Sequence, residues 1–149
     1  MLAATIKVIF FDLGETLVTR RRAWVPGAQG ALGELQRRRV RLGIISNTGE
    51  LTRRAVFETL PMDFDARTFE EGLIIFSSEV GVEKPDPRIF QLALQRASLS
   101  AEECLFCTEN LLHTLAAQRA GMRAARVLPP PGSDVGALVR ELTTSGLLG

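Results

Sequence analysis

The sequence predicts an α/β fold, in which a mainly parallel, doubly wound central sheet lies between two layers of helices in a Rossmann-like three-layer αβα sandwich. Short segments rich in β-branched and aromatic residues alternate along the chain with segments of helical periodicity. The short segments are almost continuously apolar, as expected of strands that are covered on both faces. The 149 residues suit one ordinary domain with a substantial core. We therefore expect a single domain over residues 1–149.

Five segments are predicted to be strands. Residues 6–12, "IKVIFFD", are too few for a helix and are nearly all apolar. The other four strands are expected at residues 40–47, 72–78, 104–107 and 123–128. In "CLFC" the odd offset between Cys104 and Cys107 directs the two side chains to opposite faces of a strand. We therefore expect two buried free thiols rather than a redox pair.

Five helices are predicted between and after these strands. Pro26 and Gly27 precede the first helix, and residues 37–39 at its end are arginines, which suit the negative end of the helix dipole. The other helices are expected at residues 49–60, 86–98 and 110–120, and from Asp134 onward. Residues 129–133, "PPPGS", are expected to form a stiff local connection that is too short to link two domains.

Charge and hydropathy exclude several classes of partner. Eighteen basic and seventeen acidic residues give a net charge of +1, so no global field attracts nucleic acid or anionic lipid. No apolar run approaches the ~20 residues that a membrane-spanning helix needs. The first residues do not have the order of segments that defines a signal peptide. We expect a cytoplasmic protein that binds neither membranes nor nucleic acid.

Polar side chains follow each predicted strand, where open α/β sheets bind their ligands. They are Asp12, Ser46, Asn47, Thr48, Ser77, Ser78, Lys84, Thr108, Glu109 and Asn110. A carboxylate, a hydroxyl at a helix start and an ammonium suit an oxyanion such as a phosphoryl group. The hydroxyl and the helix N–H groups donate hydrogen bonds, the ammonium neutralises charge, and the carboxylate attacks or holds a metal.

Four motifs resemble those of the haloacid dehalogenase superfamily across residues 5–128. They are "FFDLGETLV", "LGIISNT", "GVEKPDPRIF" and "LFCTENLLHTLAAQRAGM". Most members of that superfamily hydrolyse phosphate monoesters. The resemblance implies that Asp12 is the nucleophile and forms an aspartyl-phosphate, and that Lys84 steadies the nucleophile and the transferring group. It also implies that Ser46 hydrogen-bonds the phosphoryl oxygens, and we expect Asn47 to bind the same oxyanion with Ser46 and Lys84.

The resemblance further implies Mg²⁺, bound by Asp12, the main-chain carbonyl of Gly14 and an acid in the fourth motif. A cation is needed because Asp12 and the phosphate are both anions and repel each other. Most phosphatases of this type have a second aspartate at the position of Gly14, where it protonates the leaving oxygen. Losing a general acid typically costs ~10²- to 10⁴-fold in rate, so slow turnover is expected.

The fourth motif departs from the family pattern as well. Alignment on "AAQRAGM" places Thr108 and His113 where metal-binding acids are expected, and Glu109 is the nearest carboxylate that could substitute. Two alternatives stay open: Glu109 reaches the cation, or it faces solvent or pairs with an arginine and leaves a poor metal site. For His113 we favour a helix-face histidine with satisfied hydrogen bonds over a base or a metal ligand.

The spacing of the motifs leaves no room for a cap domain. Only 33 residues separate Asp12 from Ser46, and 37 separate Ser46 from Lys84. Dehalogenation, which in this superfamily needs a helical cap and no metal, therefore ranks last. Capless relatives take large, even macromolecular, substrates or form homo-oligomers that close the site, and the sequence does not choose between these options.

Three features near Asp12 have a functional and a structural interpretation. Residues 20–22 are arginines at the position of a family flap; we expect a solvated charge run, with binding of an anionic substrate as the alternative. Trp24 is expected to pack beneath the first helix, and Glu15 to face solvent or an arginine. The sequence thus predicts a phosphatase, with a catalytically impaired module that binds a phosphorylated ligand or protein partner as the alternative.

Overall fold

A computed structural model describes residues 4–128, 132 and 134–148. Its sheet has five strands, all parallel, in the order β3-β2-β1-β4-β5. The strands are β1 Val8–Phe11, β2 Arg41–Ser46, β3 Ile74–Phe76, β4 Cys104–Thr108 and β5 Arg123–Arg126. The predicted parallel α/β fold is confirmed. The connection predicted for residues 129–133 lies, apart from residue 132, outside the described residues.

Six α-helices accompany the sheet in the described part of the chain. They are α1 Ala28–Arg37, α2 Arg53–Glu58, α3 Ser77–Val80, α4 Pro87–Ala97, α5 Leu111–Arg119 and α6 Val135–Thr144. Most elements are shorter than predicted, and α2 and β3 differ most from their predicted ranges. Helix α2 begins only after Thr52, whose hydroxyl accepts a hydrogen bond from the N–H of Ala55 at 3.2 Å. Strand β3 ends at Phe76 because Ser77 and Ser78 start the single turn of α3. Within the described residues no helix has the length and apolarity to cross a membrane.

The core is divided into two clusters, one on each face of the sheet. Alternate residues of β1 serve both: Ile9 and Phe11 face α1, α2 and α6, whereas Val8 and Phe10 face α4 and α5. Strand β4 divides its thiols in the same way, with Cys107 in the first cluster and Cys104 in the second. Both cysteines are free and buried, which confirms the prediction. Burial raises the pKa of Cys104 to about 11, so this thiol is not a reactive thiolate at neutral pH.

One glycine is required by the packing of β1 against β2. Gly43 pairs with Phe10 in the sheet register. A Cβ atom at position 43 would lie 2.6 Å from the Phe10 ring and 2.9 Å from Cβ of Leu73. The ring of Phe10 therefore occupies the space that a side chain at Gly43 would need.

Residues 14–24, which we call the flap, connect β1 to the segment before α1. Two isolated bridges, Gly14 with Val18 and Val18 with Trp24, fold the flap back on itself. Trp24 is half-buried: its indole N–H donates to Asp63 at 2.8 Å, and its ring stacks on Phe64 at 5.3 Å. Trp24 thus packs against Phe64 in the segment after α2 and against the core cluster that contains the buried residues of α1. The expected packing near α1 is consistent with this cluster, and the contact with Phe64 was not predicted.

Candidate active site

The carboxyl edge of the sheet brings Asp12 and Lys84 into contact. Asp12 directly follows β1, and its N–H donates to the carbonyl of Cys107 at 3.0 Å. Nζ of Lys84 lies 3.0 Å from Oδ1 of Asp12 and donates to the carbonyl of Ile45 at 2.9 Å. Only 2% of Lys84 and 9% of Asp12 are exposed. The two residues meet as the sequence led us to expect, and their chemical roles stay predictions.

Lys84 is held in place through its main chain by Asn47. The Asn47 side chain donates to the carbonyl of Lys84 at 2.9 Å and accepts from its N–H at 2.9 Å. This pair of hydrogen bonds couples the end of β2 to the segment before α4. One amide N–H of Asn47 is left over for a ligand, because the side chain has two such donors.

Ser46, the last residue of β2, offers a hydroxyl to the same edge. It is buried, and its hydroxyl has no hydrogen-bond partner among the described residues. The hydroxyls that follow β3 are already engaged: Oγ of Ser77 accepts from the N–H of Thr48 at 2.8 Å, and Oγ of Ser78 accepts from the Thr48 hydroxyl at 2.7 Å. Ser46 is therefore free to donate to an oxyanion, whereas Ser77 and Ser78 fix the loops.

Three groups orient the Asp12 carboxylate. Oδ1 accepts from the N–H of Leu13 at 2.8 Å as well as from Lys84, and Oδ2 accepts from the hydroxyl of Thr108 at 3.2 Å. Thr108 is fully buried at the end of β4. It thus positions Asp12, a role that the sequence analysis missed. The available signal was a small hydroxyl at the carboxyl end of the neighbouring strand.

Glu109 directly follows β4, at the carboxyl edge of the sheet. Its N–H donates to the hydroxyl of Thr16 at 3.1 Å, and its carbonyl accepts from Arg126 at 3.0 Å. Its carboxylate forms no ion pair with any residue in the described part of the chain, and its negative charge favours the protonated form of Lys84. Arg126 contacts the main chain of Glu109 and not its carboxylate. The structure therefore does not show the alternative in which Glu109 pairs with an arginine.

The oxygen donors at this edge fit Mg²⁺ in number and kind. Asp12 and Glu109 supply carboxylates, and Gly14, an exposed residue, supplies a main-chain carbonyl. No group of three or more His, Cys, Asp or Glu side chains that could hold a metal occurs in residues 4–128, 132 and 134–148. Mg²⁺ is usually held by one or two carboxylates, with waters and substrate phosphate completing the shell. The donor set therefore suits a cation shared with a phosphoryl group rather than one enclosed by protein.

His113, in the first turn of α5, is perturbed by the charges of the site. Its Nδ1 is buried and has no hydrogen-bond partner among the described residues, so the prediction of a satisfied histidine is wrong for this atom. Burial, and then the charge of Lys84, lower the pKa of His113, while Asp12 and Glu83 oppose this shift. The imidazole is therefore mainly neutral at pH 7. Burial likewise lowers the pKa of Lys84, against the attraction of Asp12.

A cleft of about 220 Å³ opens beside this edge. It is lined by the flap residues Gly14, Val18, Thr19 and Arg20, by Leu13, Ser46, Asn47 and Thr48, and by the wall residues Leu51, Val56, Thr59 and Leu60. Because Leu13 and Ser46 both line it, the cleft continues from the position where a phosphoryl group would lie. A wider groove of about 550 Å³ between α1 and α6 contains none of the side chains described above.

Comparison with known proteins identifies the family. Residues 22–121 match the haloacid dehalogenase-like hydrolases, and the chain belongs to this family. The matched stretch contains Ser46, Lys84 and Glu109 and begins after Asp12. The chain is also 32% identical over 121 residues to a phosphoserine phosphatase of Thermus thermophilus, a match that covers 78% of this chain and 46% of that protein. It thus spans about half the length of this relative.

Solved structures support the same fold. A protein of Listeria monocytogenes serotype 4b superposes with a TM-score of 0.79 at 20% identity, covering 93% of this chain and 98% of that chain. A haloacid dehalogenase family enzyme of Bacteroides thetaiotaomicron, in complex with magnesium and inorganic phosphate, has a TM-score of 0.66 at 15% identity and covers 84% of this chain and 95% of that chain. At these identities the likeness concerns the fold alone.

Proposed function

We propose that this chain is a phosphatase that hydrolyses a phosphate monoester through an aspartyl-phosphate on Asp12. One observation carries the proposal: the buried pair of Asp12 and Lys84 lies at the carboxyl edge of the sheet, beside a Ser46 hydroxyl that has no partner among the described residues. A carboxylate held next to an ammonium and a free hydroxyl donor suits attack on a phosphoryl group. The phosphatase relative supports this choice of substrate class.

Each residue has a role that follows from its contacts. Oδ2 of Asp12, which accepts only the 3.2 Å hydrogen bond from Thr108, is the freer oxygen and attacks phosphorus. The ester P–O bond breaks, and the leaving oxygen takes its electron pair and then a proton from water. Ser46 donates to a phosphoryl oxygen, and Lys84 balances negative charge. Water then attacks phosphorus in the aspartyl-phosphate, which releases phosphate and regenerates Asp12.

The residues that would hold Mg²⁺ are Asp12, Gly14 through its carbonyl, and Glu109. Such a cation, when bound, reduces the repulsion between the Asp12 carboxylate and the incoming phosphate. Gly14 has no side chain that could protonate the leaving oxygen. We therefore expect turnover that is slower, by ~10²- to 10⁴-fold, than in a site with a carboxylic acid at this position.

We also infer that the chain is a capless member of its family. Residues 13–45 comprise the flap, α1 and most of β2, and residues 47–83 comprise α2, β3, α3 and two single turns of 3₁₀ helix. No inserted domain occurs in these two stretches, all of which the structure describes. We expect the site to be closed by the substrate itself or by a neighbouring copy in a homo-oligomer.

The alternative is a catalytically impaired module that binds a phosphorylated ligand or protein partner at the same site. It is favoured by the absence of an acid at Gly14, and by Thr108 and His113 at the positions where the family has metal-binding acids. Both hypotheses use Ser46 and Lys84 as the phosphate cradle. They differ in whether Asp12 forms a bond to phosphorus.

Turnover of p-nitrophenyl phosphate in the presence of Mg²⁺ tests the proposal. We expect activity in the wild type, loss of that activity in Asp12→Asn, and an unchanged rate in Asp65→Asn, an exposed carboxylate that caps a short turn elsewhere. Equal rates in the wild type and Asp12→Asn would mean that any activity comes from a contaminant. The phosphatase hypothesis would then be wrong.

A phosphoryl mimic separates the two hypotheses. Beryllium fluoride with Mg²⁺ should give a bound ¹⁹F NMR signal that disappears in Asp12→Asn, because the beryllium bonds to the nucleophilic carboxylate. The impaired-module hypothesis instead predicts no such adduct, together with calorimetric binding of inorganic phosphate that survives in Asp12→Asn and weakens in Ser46→Ala.

A further inference from the structure

Arg20 of the flap is the one charged side chain among the residues that line the cleft beside Asp12. It is exposed, and its guanidinium has no hydrogen-bond or ion-pair partner in the described part of the chain. Many other arginines are paired: Arg41 contacts Glu70 at 2.6 Å, and Arg53 contacts Glu79 at 2.8 Å. Arg20 therefore leaves a positive charge uncompensated at the wall of a cleft.

The position of Arg20 is fixed by its neighbours in the flap. Nε of Arg22 donates to the carbonyl of Leu60 at 3.3 Å, and Leu60 itself lines the cleft. Beyond it, the indole of Trp24 donates to Asp63 at 2.8 Å. These two contacts attach the flap to the segment after α2, so the main chain at Arg20 runs along the cleft that Arg20 lines. Arg21, between Arg20 and Arg22 in the sequence, is exposed and does not line the cleft.

The cleft sets the size and chemistry of the group that it can accept. Its volume of about 220 Å³ is below the ~300–1,000 Å³ of pockets that enclose drug-sized ligands. Leu51 and Leu60 are apolar residues of its wall, and Leu13, the residue after Asp12, lines it together with Ser46. A guanidinium binds carboxylate or phosphate oxygens through two parallel N–H donors. The cleft thus suits a short apolar linker that ends in an anion.

We propose that the substrate is a small phosphate monoester that carries a second anionic group, a carboxylate or another phosphate, and that Arg20 binds this group. The inference rests on the proposed function, because it places the transferred phosphoryl group between Asp12 and Ser46. It differs from the expectation of a macromolecular substrate, since the recognition element lies within a small cleft directly beside the nucleophile.

The test compares substrates that differ in a single group. Ethyl phosphate has no second anion, 2-phosphoglycolate adds a carboxylate, and ethane-1,2-diol bisphosphate adds a phosphate. In the wild type we expect kcat/KM to be higher for the two doubly anionic esters. In Arg20→Gln, kcat/KM for those two esters should fall about tenfold to hundredfold, which is the range for losing a hydrogen bond between charged groups. The fold-loss for ethyl phosphate should be at least five times smaller. Arg21→Gln is the matched control and should behave as the wild type.

The outcomes separate this inference from the proposed function. Equal preference for the three esters in the wild type, or equal losses in Arg20→Gln and Arg21→Gln, would overturn the role of Arg20 and leave the phosphatase standing. If the wild type hydrolyses none of the esters, calorimetry on the wild type decides: 2-phosphoglycolate should bind more tightly than ethyl phosphate, and Arg20→Gln should remove the difference. If the two esters bind with equal affinity, the inference is contradicted. A larger fall in kcat/KM for 2-phosphoglycolate in Arg20→Gln would identify the anion as a carboxylate. A larger fall for ethane-1,2-diol bisphosphate would identify it as a phosphate.

Discussion

Nζ of Lys84 lies 3.0 Å from Oδ1 of Asp12, and both groups are buried at the carboxyl edge of the sheet. Burial lowers the pKa of Lys84, and the Asp12 carboxylate opposes that shift. The ammonium keeps a second acceptor in the carbonyl of Ile45, at 2.9 Å. Each charge therefore depends on the other, and the pair has consequences for stability as well as for chemistry.

Breaking the pair from either side should destabilise the fold. Asp12→Asn and Lys84→Met should each lower the free energy of unfolding by about 3–5 kcal/mol, because each leaves a buried charge without its partner. The double variant should lose less than the sum, since neither charge is then left alone. Urea unfolding of the four proteins measures this coupling. Strictly additive losses would show that the two groups do not interact.

Glu109 is expected to supply part of the magnesium affinity. Replacing it with Gln keeps the size of the side chain and removes its charge, so the dissociation constant for Mg²⁺ should rise about tenfold or more, as expected for about 1.4 kcal/mol. Calorimetric titration with Mg²⁺ in the presence of inorganic phosphate measures this change without any turnover. Glu102→Gln is the control, because Glu102 is exposed in a short turn that precedes β4 at the opposite end of that strand. Equal affinities in the two variants would exclude Glu109 as a ligand.

Gly43 and Gly30 should respond in opposite directions to alanine. At Gly43 the added methyl group would lie 2.6 Å from the Phe10 ring, so the core must shift, and overpacking of this kind costs about 1–3 kcal/mol. At Gly30, within α1, no atom lies within 4 Å of the added group. Alanine there should stabilise the helix by up to about 1 kcal/mol. Thermal and urea unfolding of both variants provide the comparison, and a stable Gly43→Ala protein would contradict the packing argument.

The sequence was enough to predict the sheet and the meeting of Asp12 with Lys84. Alternation of apolar strands with helices requires parallel strands, and parallel strands place their carboxyl ends at one edge. The ends of the elements were less predictable, because distant partners decide them. Thr48 bonds Ser77 and Ser78 from the loop after β2, so β3 stops at Phe76 and α3 begins.

The finer arrangement of the site depends on tertiary contacts that no motif encodes. Thr108 was assigned to the place of a metal ligand, yet its hydroxyl bonds Asp12 across the strand pair of β1 and β4. Arg20 was interpreted as part of a solvated run, and only the folding of the flap separates it from Arg21. In both cases the role of the residue depends on the direction of its side chain, which the residue type does not reveal.

His113 should make the stability of this protein depend on pH near the ordinary pKa of histidine. It is the only histidine in the sequence, and no other type of side chain in this protein ordinarily titrates in that range. Its pKa is lowered from 6.5 by burial and by Lys84. As the pH falls through 6.5, the unfolded chain gains a proton that the folded protein resists, so the free energy of unfolding falls, by at most about 1.4 kcal/mol per pH unit, until the lowered pKa is reached. Above 6.5 the imidazole is neutral in both states and contributes no slope.

Substitution of this histidine by glutamine, which does not titrate, should therefore flatten the pH dependence below neutrality. Urea unfolding of the wild type and His113→Gln between about pH 5.5 and 7.5 brackets the ordinary pKa of histidine and measures the difference. The two curves should run parallel at the upper end, and the wild-type curve should fall relative to the variant curve as the pH falls, because only the wild type has an imidazole whose pKa is lowered on folding. Parallel curves across the whole range would mean that the imidazole titrates equally in the folded and unfolded states. The burial of Nδ1 would then have no electrostatic consequence.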